Sequence, residues 1–304
     1  MKFTTAAVSL ALVLAGTAHG HSHIQHRRHN GPSQIFTPSS TPASTPTADT
    51  PAPTATTSSS TPSSTSASSL TGGSKRGLAF NDVGAAQKFQ GKKPSWGYDW
   101  ASTDSGNLPD GITYIPMLWG GDPDKTGSWL DDANAAISNG AKFVLAMNEP
   151  DLGAQSNMDP ASAASTWKQF VEPLKGKAAL CSPAVTNGGA PMGTAWLDQF
   201  LAECDSCTVD CIALHIYDSA TNIDYYKNYL QAAIDKYKKP VVVSEFGATG
   251  STSDVTNFLT EMLDWLDGND GIAAYAFFAD LPGAQFLVNP DFSLTSIGQL
   301  YADH

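Results

Sequence analysis

The sequence predicts an α/β fold, a (β/α)8 TIM barrel preceded by a disordered Ser/Thr/Pro-rich N-terminal region, and three observations carry that expectation. Eight short apolar segments recur between residues 76 and 279, most without polar alternation, as in strands buried on both faces. Helix-like stretches fill several of the intervals, and strand–helix alternation repeated eight times builds a parallel sheet that can close on itself. No glycine-rich dinucleotide or phosphate loop follows the first segment, which weakens a doubly wound alternative.

The expected strands occupy residues 76–81, 95–100, 112–119, 142–148, 178–184, 211–217, 240–246 and 273–279. Expected helices occupy 129–138, 162–174, 193–202, 225–237 and 253–266. The first of these has Asp131 and Asp132 near its start and Asn139-Gly140 where a helix stops. The fourth runs into Lys238-Lys239-Pro240, a stop followed by the core run Val-Val-Val-Ser-Glu. Between Asn81 and Ile112 the helix pattern is short, and there the alternation is weakest.

Upstream of this region the composition changes. Met1-Lys2 precedes an apolar run from Ala6 to Ala15 that is too short to span a bilayer, and Ala18 and Gly20 precede His21. Residues 1–20 therefore read as a cleaved secretory signal. Residues 21–74 combine a His-rich patch (His21 to His29) with a Ser/Thr/Pro tract in which Asp49 is the only charge between 39 and 69. Such a tract cannot bury enough apolar surface to offset chain entropy and is expected to be a disordered, O-glycosylated stalk. Lys75-Arg76 abuts the first strand and is a candidate processing point that would release a chain starting at Gly77. Residues 75–304 form the expected catalytic domain, long enough for one large core.

The chain of 304 residues has a net charge of −12. Lys2, Arg27, Arg28 and Asp49 are the charged residues of 1–74, so 75–304 carries 14 basic and 28 acidic residues, a net of −14. Nucleic acid and anionic membranes take their affinity from basic patches, so neither is an expected partner. A neutral substrate suits this charge, and the expected state is a secreted or wall-lodged monomer.

Four cysteines, Cys181, Cys204, Cys207 and Cys211, allow three connectivities in an oxidising compartment. Cys204 and Cys207 suit a local bridge, leaving Cys181 and Cys211 to pair or remain buried thiols. His215 and terminal His304 are the only histidines of the domain. They make no zinc-ligand set and have no nucleophile elbow beside them; no metal or organic cofactor is expected, because the pair of carboxylates described below suffices. His215 reads either as a polar wall of a cleft or as a buried hydrogen-bonded residue.

In a barrel of this kind the chemistry sits where strands end. The fourth strand closes on Asn148-Glu149-Pro150 and the seventh on Ser244-Glu245-Phe246-Gly247. A carboxylate at the end of an apolar run is costly to bury unpaired. Two of them, on strands four and seven, would face each other across the mouth. Glycoside hydrolysis needs such a pair, one protonated and one ionised, about 5–5.5 Å apart when configuration is retained. Aromatic residues collect at the same ends: Trp96, Tyr98 and Trp100, Trp119, Tyr217, Phe277 and Phe278. Trp100 and Trp119, beside Gly and Ser loops, are the better candidates for stacking on sugar.

Arg76-Gly-Leu-Ala-Phe-Asn81, Trp96-Gly-Tyr-Asp-Trp100, Tyr114-Ile-Pro-Met-Leu-Trp119, Asn148-Glu-Pro-Asp151, His215-Ile-Tyr217 and Ser244-Glu-Phe-Gly247 occur in that order. Together they resemble the fungal members of glycoside hydrolase family 128, over 76–304 and nothing upstream. The resemblance implies a retaining β-1,3-glucanase, with Glu149 as acid/base and Glu245 as nucleophile. It further implies that Asn148 meets the 2-hydroxyl of the reacting sugar, that Tyr217 sits near the nucleophile, and that Trp119 lines a glucose subsite. Asn81, His215 and Phe278 complete the expected substrate-binding set. Strand eight ends Ala276-Phe277-Phe278, where relatives often place Trp before the last aromatic.

The expected function is therefore endo-acting hydrolysis of cell-wall β-1,3-glucan. Two alternatives stand beside it: a wall protein that binds β-glucan oligosaccharides with little or no turnover, and a retaining glycosidase for another β-glycan.

Overall fold

A computed structural model of the chain describes residues 70–104, 106–280 and 286–304. The expected signal peptide, and the expected stalk up to residue 69, lie outside the described residues.

Each of the eight apolar segments holds one strand or most of one, the last three running a little past the expected ends: β1 (Arg76–Phe80), β2 (Trp96–Tyr98), β3 (Thr113–Tyr114), β4 (Phe143–Val144), β5 (Ala179–Leu180), β6 (Ile212–Ser219), β7 (Val241–Thr249) and β8 (Ile272–Asp280). The fold is α/β, and every pairing between these strands is parallel. Six strands form one sheet in the order β3-β2-β1-β8-β7-β6, and β4 pairs with β5. Isolated parallel bridges, Met117–Leu145 on one flank and Cys181–Cys211 and Val185–Leu214 on the other, run between the two sheets.

β3, β4 and β5 are only two residues long, and proline interrupts the ladder beyond β3 and β5. Pro116 follows β3 and Pro183 follows β5, and neither has an N–H to donate. Pairing resumes beyond them as single bridges at Met117 and Ala184.

The helices are α1 (Val83–Ala86), α2 (Pro123–Thr126), α3 (Trp129–Ser138), α4 (Pro160–Thr166), α5 (Thr194–Glu203), α6 (Ile223–Tyr237), α7 (Thr252–Gly268) and α8 (Ser296–Asp303). The expected helix at 129–138 coincides with α3. The expected helix at 162–174 does not run through: α4 passes into a π turn at Trp167–Val171 and a 3-10 turn at Glu172–Leu174. Pro173 has no N–H for the ladder and its ring clashes with the carbonyl four residues back, which explains the change of winding. Elsewhere the caps are local. Ser251 and Asp254 make a reciprocal capping box on α7, and Lys238 closes α6 in the left-handed region with φ 53°. α1, α2 and α8 have no counterpart among the expected helices.

Side chains on the strands alternate between two buried clusters. Leu78 and Phe80 of β1 pack outward with the helices, whereas Ala79 belongs to an inner cluster with Trp96, Tyr98, Met117, Phe143, Leu145, Cys181, Ala213, Val242 and Ala276. Gly77 gives Trp96 its place in that cluster, since a Cβ there would lie 2.2 Å from the indole.

Two disulfides are present: Cys181–Cys211, joining the flanks of β5 and β6, and Cys204–Cys207 after α5. The local bridge is as expected, and the alternative of buried thiols at Cys181 and Cys211 falls away.

The expected processing point also looks different in the fold. Arg76 is fully buried and donates to Tyr301 O (2.7 Å), Asp267 Oδ2 (3.0 Å) and the Tyr275 hydroxyl (3.1 Å). Lys75 Nζ donates to the carbonyls of Leu266, Asp267 and Asn269 at the end of α7. The dibasic pair thus ties the start of β1 to α7, β8 and α8, and a cut after Arg76 would remove that anchor.

Candidate active site

Glu149 and Glu245 are brought together. Glu149 follows β4, where its N–H donates to Ala184 O (2.8 Å) while the N–H of Asn148 donates to Trp119 O (2.9 Å). The turn at Glu149 has φ 41°, an uncommon conformation for a non-glycine residue that aims its side chain inward. Glu245 lies within β7 and both carboxyl groups are nearly buried, at 8% and 5% exposure. Their oxygens, with His215 Nδ1, lie within 4.8 Å of one another.

The two carboxyl groups have unlike surroundings. Glu245 is ringed by donors: Trp100 Nε1 at 2.7 Å from Oε1, the Tyr217 hydroxyl at 2.6 Å from Oε2, and the Tyr98 hydroxyl at 3.3 Å from Oε1. Tyr98 is also within 3.0 Å of Ser244 O. Desolvation, reinforced by the charge of Glu245, pushes both phenols well above the ordinary tyrosine value, so they remain donors. Glu149 has one partner, His215 Nδ1, at 2.9 Å from Oε1. Its Oε2 has none among the described residues.

A break in register arranges His215 between them. β6 and β7 pair regularly up to Leu214–Val243 and then His215 faces Glu245, so Ser244 is the extra residue. Such a bulge re-aims neighbouring side chains. Ser244 Oγ meets His215 Nε2 at 3.1 Å, and Nδ1 lies 3.5 Å from Glu245 Oε2. Burial opposes the imidazolium, but the charges of Glu245 and Glu149 and the bond to Glu149 outweigh it and hold the histidine above its usual value. With no exposed surface, His215 lies beneath the cleft and is not a wall residue, and the buried, hydrogen-bonded alternative is the one realised.

The remaining expected residues divide. Trp100, two positions past β2 with φ 58°, contacts Phe278 edge-on at 5.8 Å, and Phe278 in turn meets Tyr217 at 5.7 Å. These three rings form one wall beside Glu245. Tyr217 is 36% exposed at its rim, and Gly247 makes room for it, because a Cβ there would sit 2.9 Å from the ring. Trp119 is partly buried on the Asn148 side, with Lys125 Nζ 5.7 Å from its ring centroid. Asn148 donates from Nδ2 to Gln155 Oε1 (3.3 Å), and its buried Oδ1 has no partner. Asn81 is exposed after β1 and makes none of the hydrogen bonds to either glutamate.

Gln155 and the part played by Ser244 were not expected at the site, and Tyr98 was expected there only as one of the strand-end aromatic rings. Tyr98 had a readable signal, since it stands two residues before Trp100 and so on the same strand face. The bulge that brings in Ser244 has no such signal.

Glu149, His215 and Glu245 are also the group of the described residues that could hold a metal ion. The donor set argues against that use. Three O–H or N–H groups point at Glu245, and the one imidazole nitrogen facing both carboxyls is bonded to Glu149. Such surroundings suit an anion better than a cation.

Comparison with known proteins gives the following. A family model described as the glycosyl hydrolase catalytic core matches residues 77–301. Alkali-sensitive linkage protein 1 of Schizosaccharomyces pombe is 31% identical over 258 residues, covering 77% of this chain and 45% of that protein, so the chain spans about half the length of this relative. A curdlan-specific exo-β-1,3-glucanase of GH128 subgroup III from Blastomyces gilchristii, solved with glucose, is 39% identical over 77% of this chain and 98% of its own, with a TM-score of 0.70. An endo-β-1,3-glucanase of subgroup I from Amycolatopsis mediterranei, solved with laminaritriose, is 31% identical over 75% and 98%, with a TM-score of 0.65. A subgroup II endo-β-1,3-glucanase from Sorangium cellulosum is 31% identical over 74% and 96%, with a TM-score of 0.64.

Proposed function

The chain belongs to the glycosyl hydrolase catalytic core family, within glycoside hydrolase family 128, and on that premise we propose that it is a retaining β-1,3-glucanase in which Glu149 is the acid/base and Glu245 the nucleophile. The observation that carries this reading is the asymmetry of the two carboxyl groups. Both oxygens of Glu245 accept hydrogen bonds, from Trp100 and Tyr217, which fix that carboxyl in place for attack, whereas Glu149 is held through Oε1 alone and keeps Oε2 available to the departing oxygen.

In the first step an oxygen of Glu245 attacks the anomeric carbon while Glu149 gives its proton to the departing glycosidic oxygen. The glycosyl ester that results is released when Glu149, now a base, takes a proton from water as that water attacks the same carbon. One oxygen of Glu149 and one of Glu245 lie within 4.8 Å of each other, an approach that supports retention, because inversion needs about 6.5–9.5 Å between the carboxyl groups to admit water. Asn148 at the 2-hydroxyl of the reacting sugar, and the Trp100, Phe278 and Tyr217 wall with Trp119 opposite as sugar platforms, complete the proposed site. Asn81, exposed after β1, is kept as a proposed substrate contact.

The scaffold we propose is a closed (β/α)8 barrel. The bridges between the two sheets support closure, as does an inner cluster that draws residues from all eight strand segments. Residues 1–20 as a secretory signal and 21–69 as a spacer stalk complete a secreted enzyme, and the catalytic domain begins before the expected residue 75, since Leu70 packs on the inner cluster and Thr71 is buried.

The substrate class rests on the laminari-oligosaccharides bound by similar enzymes. Endo action is the first reading, and exo action the second, favoured by the 39% identical exo-acting neighbour. Reducing-end release from laminarin should be robust for the wild type and absent for Glu245→Gln, and equal release by both would overturn the catalytic reading. Mass spectrometry of early products from linear β-1,3-glucan separates a ladder of oligosaccharides (endo) from one short product (exo).

A further inference from the structure

Tyr217 is exposed at its rim yet holds its hydroxyl 2.6 Å from Glu245 Oε2, so something must restrain it. On one edge β7 holds this backbone, pairing Tyr217 with Gly247, but on the other edge the ladder ends at the Val185–Leu214 bridge and the bond from His215 N to Val185 O. Beyond that point a side chain replaces it. Asn187 Oδ1 accepts from Tyr217 N (3.1 Å) and Asn187 Nδ2 donates to Tyr217 O (3.1 Å). The second Nδ2 hydrogen goes to the Tyr225 hydroxyl on α6 (3.0 Å). The primary amide thus copies a peptide group and grips Tyr217 at two points.

The loop that carries Asn187 is itself held from the other carboxyl group's side. Asp151, two residues after Glu149, accepts from Thr186 Oγ1 (2.6 Å), Thr186 N (3.2 Å) and Gly193 N (2.8 Å), closing the loop from 186 to 193. A continuous path therefore runs behind the cleft from the turn at Glu149 through Asp151, Asn187 and Tyr217 to Glu245.

We infer that Asn187 is a positioning residue that clamps Tyr217 so that its hydroxyl stays on Glu245, and that Asp151 presets the loop from which Asn187 acts. This rests on the proposed role of Glu245. An amide that only closed a loop would affect stability, and its effect on rate would not depend on the Tyr217 hydroxyl.

The test is a double-mutant cycle on laminarin hydrolysis with Asn187→Ala, Tyr217→Phe and the pair. Asn187→Ala should lower kcat roughly ten-fold with KM within about two-fold, a share of what the lost hydroxyl bond supplies. In the Tyr217→Phe background the same change should cost less than about two-fold. Asp151→Asn, which preserves side-chain volume, should show the same pattern at smaller size and covers the case in which Asn187→Ala does not fold. Equal losses in both backgrounds, or full activity of Asn187→Ala beside an impaired Tyr217→Phe, would overturn the clamp alone. Wild-type rates for both Glu245→Gln and Tyr217→Phe would overturn the catalytic reading, and the clamp with it.

Discussion

The indole N–H of Trp100 donates to Glu245 Oε1 at 2.7 Å, although one residue lies two positions past β2 and the other lies in β7. Trp100 reaches it from a left-handed backbone (φ 58°), a conformation that costs of order 1–3 kcal/mol for a bulky residue. Contacts with Tyr98 at 5.1 Å and Phe278 at 5.8 Å hold the ring there. Trp100→Phe keeps an aromatic ring and deletes the donor. Hydrogen bonds to charged groups contribute about 1.5–3 kcal/mol, so kcat/KM should fall roughly ten- to hundred-fold. Unchanged kinetics would remove Trp100 from the support of Glu245.

Glu149 is tested through the leaving group. Glu149→Gln should lower the rate on laminarin by about 10²–10⁴-fold, the usual contribution of proton transfer. A dinitrophenyl β-glucoside or laminaribioside leaves without a proton, so its departure step should be far less impaired in the same variant. Equal losses on both substrates would argue that Glu149 is not the proton donor.

His215 makes stability depend on pH. Its pKa is raised in the folded state by the two carboxylates against the opposing effect of burial. Protonation therefore favours the fold: the contribution is fully present below the unfolded histidine value, about 6.5, and is lost as pH rises through the higher folded value. Urea denaturation should find the wild type losing stability relative to His215→Gln as pH rises above about 6.5. A difference that is flat with pH, or that grows in the wild type's favour, contradicts this.

Asp267 bears on the anchor at β1. It is 42% exposed and pairs with fully buried Arg76 at 3.0 Å. Asp267→Ala leaves the guanidinium buried with only uncharged partners and should lower unfolding stability by about 3 kcal/mol, the low end for such a loss because Asp267 faces water. A loss within experimental error in urea melts would show that Tyr275 and Tyr301 suffice.

What could be read in advance follows from which interactions are local. Glu149 and Glu245 stood out because a carboxylate ending an apolar run needs a reason, and Trp100, Tyr217 and Phe278 because aromatic rings recur where strands stop. α3 was legible to its ends because Asp131, Asp132 and Asn139-Gly140 mark them. The depth of His215 was not, since its neighbours Glu149 and Ser244 are 66 and 29 residues away. Ser244 and Glu245 are adjacent, and strand alternation would put them on opposite faces. Only the bulge lets His215 approach both. Arg76 misled for a similar reason: a dibasic pair reads as a protease signal until Asp267, Tyr275 and Tyr301 close over it. Asn187 and Asp151 act from loops, where side-chain pairing leaves no periodicity.

The most direct measurement is covalent trapping. An activated 2-deoxy-2-fluoro-β-laminaribioside should glycosylate the enzyme and stall it, and peptide mass spectrometry should find the added sugar on the peptide that contains Glu245 and nowhere in Glu245→Gln. A label on another residue, or turnover that releases the inverted anomer without any adduct, would contradict the assignment of Glu245 as the attacking group.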